Sequence, residues 1–168
     1  MFFVACQTFN GERVFTNDIV VHLFHSVLEE GLEVWSFSLV AYTILPDGVE
    51  LLLKLDEDVL LYELIEWVQK RYAYTYQELM GMPKPMVIWR YSYYFGLVRD
   101  VDEFAKRLDR IHHAAVKYGW TKRPEEWPYC SYEKWVEERI YKLGWGWADK
   151  RKITGARHSR KRRAPMRR

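Results

Sequence analysis

Five histidines are the side chains best suited to metal or proton chemistry in this chain: His22, His25, His112, His113 and His158. His22 and His25 lie three apart on a segment of helical periodicity, so they share a face as two metal ligands would. No third ligand is evident, and the pair reads as ordinary helix histidines. His112 and His113 are adjacent and point to different helix faces, which argues against a joint metal site. Cys6 and Cys130 are the only cysteines, and no pair is spaced for zinc. No Gly-rich phosphate loop occurs, since Gly144-Trp145-Gly146-Trp147 is aromatic, and there is no Gly-x-Ser-x-Gly elbow. These residue types alone predict no catalytic residue, no metal and no cofactor.

Charge is more informative. The formal net charge is +3, but its distribution is uneven. Residues 150–168 hold ten cations and no acid: Lys150, Arg151, Lys152, Arg157, Arg160, Lys161, Arg162, Arg163, Arg167 and Arg168. Residues 1–149 keep the other 16 basic and all 23 acidic residues, a formal charge of −7. An acidic globule with a +10 tail suggests an arm that meets a polyanion. The tail has few apolar anchors, which disfavours a membrane. Twelve tyrosines and eight tryptophans add candidate base-stacking rings. Most belong to a core, but Tyr72, Tyr74, Tyr76 and Tyr91, Tyr93, Tyr94 are clusters in which some faces can be exposed.

The elements that must position these groups follow from periodicity. With 168 residues and 49% apolar composition, the chain suits one domain, 1–149, followed by the basic tail, 150–168. No run of eighteen apolar residues occurs, and the opening segment is too short for a signal peptide, so a cytoplasmic protein is expected. Residues 2–9 read as a strand. Asn17 or Asp18 caps a helix expected to stop at Gly31. Residues 33–45 and 49–55 are strands joined by Pro46-Asp47-Gly48. A helix follows over 58–80, then an extended stretch over 86–98. A helix spans 100–118 and a short one 132–143. That order predicts an α+β fold: a ferredoxin-like antiparallel sheet with helices packed on one face, then a disordered basic C-terminal tail.

Three stretches resemble a known family, the REP-associated tyrosine transposases, which are HUH-type single-strand DNA transposases. Ala41-Tyr-Thr-Ile-Leu-Pro-Asp-Gly-Val-Glu-Leu-Leu-Leu53 is similar to the family's strand–turn–strand, usually written Met-Pro-Asn-His-Val-His-Leu-Leu. Trp89-Arg-Tyr-Ser-Tyr-Tyr-Phe-Gly-Leu-Val-Arg-Asp100 resembles its Trp-Gln…Tyr-Tyr-Asp-His-Val-Ile-Arg segment. Gly119-Trp-Thr-Lys-Arg-Pro-Glu-Glu-Trp-Pro-Tyr-Cys-Ser-Tyr132 resembles its Gly-Leu-Val…Pro-Glu-Asp-Trp-Pro-Trp-Ser-Ser-Tyr, the most specific of the three. The resemblance covers about residues 2–135.

In that family two histidines on the central strand hold a divalent metal that polarises a scissile phosphate. A tyrosine on a later helix attacks it, and a polar residue one helical turn on completes the site. A phosphodiester needs charge neutralisation, and a phenol needs activation. The resemblance places the two histidines on Gly48 and Glu50, the tyrosine on Arg110 and the last ligand on Ala114. Glycine has no ligand atom, and arginine stays protonated in water. Glu50 keeps a possible oxygen ligand, and a shifted site would need Glu50, His112 or His113, and Tyr118 to converge.

The leading expectation is a degenerate, domesticated member: a catalytically inactive, transposase-derived nucleic-acid-binding protein. Its expected partner is structured nucleic acid, either a DNA hairpin or folded RNA, held by the tail cations. Arg110 joins them in a local patch with Arg90, Arg99, Lys106, Arg107 and Lys117. The alternatives are an RNA-bound structural subunit of a ribonucleoprotein such as the ribosome, and an active metal-dependent single-strand DNA transposase with a rearranged site. The acidic body offers possible protein contacts, and the resemblance allows a monomer or a homodimer.

Overall fold

Alternating side chains make Phe2–Gln7 (β1) the hub of the sheet. Phe3 is buried on one face, Val4 and Cys6 on the other. The structure, a computed structural model, describes residues 1–84 and 86–141. The chain runs from β1 into α1 (Asp18–Val34), then β2 (Phe37–Leu45) and β3 (Gly48–Leu55). Next come α2 (Leu61–Leu79), β4 (Tyr94–Leu97), α3 (Val101–His112), α4 (Ala114–Lys117) and α5 (Tyr132–Glu137). The strand order is β2-β3-β1-β4 with every neighbouring pair antiparallel. This is the split βαβ arrangement of a ferredoxin-like α+β fold, as expected.

Helices cover both faces, which corrects the one-face expectation. The face with Val4, Cys6, Val49, Leu51 and Leu53 packs against α1 and α2. The face with Phe3, Ala41 and Leu52 packs against Leu108 and Ile111 of α3 and Tyr132 of α5. The reason lies in β3, whose Val49–Leu53 run is buried throughout rather than alternately. Such a run needs cover on both sides. A bulge between Leu39 and Ala41 lets β2 serve both cores. Leu39 faces the α1/α2 side and Ala41 faces α3, because one extra residue reverses the alternation.

Several boundaries differ from the sequence expectation. α1 does not stop at Gly31 but runs to Val34. A Cβ at Gly31 would lie 3.1 Å from Trp67, so this glycine serves close helix packing rather than termination. β2 accordingly starts at Phe37 rather than at residue 33. α2 starts at Leu61 rather than at residue 58, with Leu60 at the cap position. The stretch expected to be extended over 86–98 contributes only Tyr94–Leu97 and one bridge, Trp89 to Thr8. Trp89 instead turns its ring into the aromatic core beside Phe15, Phe24 and Tyr72. The 100–118 helix breaks at His113 (φ −104°, ψ 7°) into α3 and α4. α5 ends at Glu137. The end of the expected 132–143 helix, Gly144, Gly146 and the whole basic tail lie outside the described residues.

Candidate nucleic-acid interface

Pleating puts Gly48 and Glu50 on the α3 side of the sheet, facing Gln7 and Ala5 of β1. α3 is held above them by its apolar stripe, Leu108 and Ile111, and by its cap. Asp100 Oδ1 accepts the Glu103 N–H at 2.8 Å, satisfying an orphan donor at the helix start. The other stripe of α3 carries Arg107 and Arg110 over the Phe3 ring, with guanidinium carbons 4.9 and 4.8 Å from its centroid. Both contacts have cation–π geometry.

Arg110 and Glu50 then meet across the interior. Arg110 Nη2 donates to Glu50 Oε1 at 3.0 Å and Nε donates to Oε2 at 3.3 Å. This is a bidentate fork-to-carboxylate pair. The Glu50 side chain is 6% exposed and that of Arg110 is 35% exposed. The hydrogen bond to Glu50 raises the Arg110 pKa further, so the guanidinium is always charged. Beside the pair opens a cavity of about 560 Å³. Its polar walls are Gln7, Asp47, Ser92 and Arg90, and its aromatic walls are Tyr93, Tyr94, Tyr118 and Trp120. Arg90 Nη1 donates to Gln7 Oε1 at 2.9 Å.

The histidines stand elsewhere. His22 bonds through Nδ1 to the Asp18 carbonyl at 2.7 Å. His25 packs edge-on against Tyr42, and burial lowers its pKa. His112 is buried, with Nε2 2.9 Å from Ser131 Oγ and Nδ1 3.2 Å from the Tyr141 hydroxyl. Burial pushes its pKa down to about 3, so it is neutral. His113 Nδ1 lies 3.0 Å from the Asp109 carboxylate. Tyr118 shares the cavity with Glu50, but His112 and His113 do not line it. The three groups that a shifted catalytic site needs are therefore not brought together. Among the described residues no group of three or more His, Cys, Asp or Glu is placed to hold a metal ion.

Of the tyrosine clusters, Tyr72 and Tyr76 are core, whereas Tyr74, Tyr91 and Tyr94 are exposed. Tyr91 is fully exposed beside Arg90, and Phe95 is half-exposed on β4. Sequence reasoning singled out Arg90, Arg110, Glu50 and Tyr118, but not Gln7, Asp47 or Trp120 as their neighbours. Gln7 pairs with Gly48 in register, which the hairpin turn and the strand order together would have indicated. The tail cations Lys150, Arg151, Lys152, Arg157, Arg160, Lys161, Arg162, Arg163, Arg167 and Arg168 lie outside the described residues.

No protein-family model matches this chain. A Haemophilus influenzae protein named as a REP-associated tyrosine transposase is 28% identical over 143 residues, 80% of this chain and 81% of its own length. An Escherichia coli REP-associated tyrosine transposase is 26% identical over 58 residues, about a third of each chain. The solved structure of a REP-associated tyrosine transposase bound to a REP hairpin superposes with a TM-score of 0.74. That match covers 86% of this chain and 83% of the other at 17% identity, which establishes a shared fold. The chain is a relative of the REP-associated tyrosine transposases.

Against the REP-associated tyrosine transposase pattern, the residues present do not fit a divalent ion. A Cβ at Gly48 would lie 2.5 Å from the Cys6 carbonyl oxygen and 3.2 Å from the Gln7 Cα. The β1 backbone therefore occupies the space that a side chain at 48 would need. Both Glu50 oxygens accept from Arg110. Ala114 is buried and offers no ligand atom.

Proposed function

We propose that the protein binds structured nucleic acid without cleaving it, on a transposase scaffold whose cleavage centre has become an ion pair. The observation that carries this reading is the bidentate Arg110–Glu50 pair. It stands where the resemblance places the nucleophile and a metal ligand, and Gly48 is sealed by the β1 backbone. The tail cations and the exposed Tyr91 and Tyr94 support phosphate neutralisation and stacking. A DNA hairpin is the first ligand to test, because the solved relative is described bound to one. The acid-free tail keeps folded RNA as the second, within a ribonucleoprotein. Cys6 and Cys130 are free thiols, each pushed up to about 12 in pKa by burial, and take no part in this reading.

The test is a labelled DNA stem–loop and its RNA counterpart, titrated with the full chain and with a chain ending at Asp149, across a salt series. Tight DNA binding with a log–log salt slope of about −5 or steeper is expected, flattening when the tail is removed. No strand scission is expected with magnesium or manganese. Metal-dependent scission abolished by Tyr118→Phe would overturn the reading in favour of a rearranged transposase. Preference for the RNA stem–loop would transfer it to an RNA-binding subunit.

A further inference from the structure

The cavity beside Arg110 and Glu50 has the wrong electrostatics for a phosphate. Its charged walls are Asp47, Glu50, Arg90 and Arg110, two of each sign. Arg110 spends its fork on Glu50. A dianion or diester would meet two carboxylates and little free positive charge. A neutral, planar, polar ring suits the site better. Tyr93, Tyr94, Tyr118 and Trp120 provide aromatic walls, and about 560 Å³ is ample for a nucleoside.

The polar groups are arranged on two sides of Gln7. Gly48 pairs with Gln7 on the β3 side, and Asp47 adjoins it. On the other side the Arg90 N–H donates to the Gln7 carbonyl at 2.9 Å. Two strand spacings separate these flanks by about 10 Å. Arg90 is anchored through Nη1 to the Gln7 amide oxygen, which leaves its other guanidinium donors and the Gln7 amide N–H free. The Asp47 carboxylate has no hydrogen bond or ion pair among the described residues. Its backbone carbonyl is fixed by the Thr8 N–H at 2.9 Å.

Arginine donors on one flank and a carboxylate on the other match one base. Guanine presents the O6 and N7 acceptors along one edge and the adjacent N1–H and N2–H donors along another. Adenine, cytosine and thymine lack that adjacent donor pair. We propose that this cavity is a guanine-binding pocket, with Arg90 and Gln7 meeting O6 and N7, Asp47 accepting from N1 and N2, and the aromatic walls enclosing the ring. The base comes either from an unpaired position in a bound strand or from a free nucleoside. Only the first source rests on the proposed nucleic-acid reading.

Uncharged nucleosides test the pocket without engaging the cationic tail. The full chain is titrated with deoxyguanosine, deoxyadenosine, deoxycytidine and thymidine by saturation-transfer NMR. Saturable deoxyguanosine binding, at least about tenfold tighter than the others, is expected. Deoxyinosine, lacking the N2 amino group, and 7-deazadeoxyguanosine, lacking N7, should each bind several-fold more weakly to the unaltered protein. Asp47→Asn and Arg90→Ala should each cost about tenfold or more. The nucleoside analogues decide the matter even if a variant misfolds. Equal binding of all four nucleosides, no saturation, or displacement of deoxyguanosine by equimolar inorganic phosphate overturns the proposal. A stem–loop with one unpaired guanine that competes with deoxyguanosine identifies the strand as the source, and failure to compete identifies a free nucleoside. Loss of hairpin binding with deoxyguanosine binding intact would sink the proposed function but not the pocket.

Discussion

Removing Arg110 leaves the Glu50 carboxylate, 6% exposed, without the group that neutralises it. Breaking one side of a buried ion pair costs about 3–5 kcal/mol. Arg110 is itself 35% exposed, so water reaches part of the site and screens the freed charge, and about 2 kcal/mol is the share expected here. Arg110→Met also loses the contact with Phe3, which must be separated from the pair. A double-mutant cycle with Glu50→Leu does this, because the Phe3 contribution is common to both arms and cancels. Replacing both partners by apolar residues should be close to neutral. The assay is urea unfolding of the four proteins at pH 7. The expected coupling is about 2 kcal/mol, with a melting shift of roughly 4–8 °C for Arg110→Met alone. The coupling should persist at about 0.5 M salt, since a buried pair is poorly screened. A coupling under about 0.5 kcal/mol, the size of an exposed pair, would refute the reading of Arg110 and Glu50 as a buried, mutually neutralising pair.

Other outcomes follow from the same geometry. Gly48→Ala places a methyl 2.5 Å from the Cys6 carbonyl oxygen, and it should destabilise by about 2 kcal/mol or more; Gly48→His should not create zinc or manganese binding, which calorimetry checks. His112 has its folded pKa pushed down to about 3, against about 6.5 unfolded. The unfolded chain therefore binds the extra proton between those values, and stability falls as pH drops through that window, by a few kcal/mol. His112→Gln should flatten the slope of urea midpoint against pH, and an unchanged slope would rule out His112 as its source. Asp100→Ala removes the α3 cap and should cost about 1 kcal/mol in thermal unfolding.

Much of the fold was legible because hydrophobic period and turn chemistry agreed. Pro46-Asp47-Gly48 between two apolar runs announced the β2–β3 hairpin, and the order of elements announced the sheet. Gly31 misled because a glycine can serve close packing, here against Trp67, as readily as a helix end. The 86–93 stretch misled because aromatic residues look like a strand whether they pair or bury, and Trp89 buries. The two covered faces were encoded in the consecutive Leu51-Leu52-Leu53 of β3, whose meaning lies in three dimensions. At the site, Glu50 and Arg110 each stood out, but they are sixty positions apart, and nothing local predicts that they touch. The cavity depends on Gln7 of β1, Asp47 of the β2–β3 turn and Arg90 of the segment before β4, which only backbone pairing along β1 brings together.

The central place of β1 also shapes how the protein is made. β1 leaves the ribosome ahead of both strands that flank it. The β2–β3 hairpin closes through a tight turn and forms early, but β1 must wait for residues 48–53 on one side and 94–97 on the other. Both pairings are long-range and slow to close. Until Leu97 emerges, a Phe-Phe-Val-Ala strand has at least one open edge, an invitation to pair with a neighbouring nascent chain. Truncation before β4 should therefore yield aggregates rather than a smaller folded body, and slowing translation after β4 should help more than slowing it before.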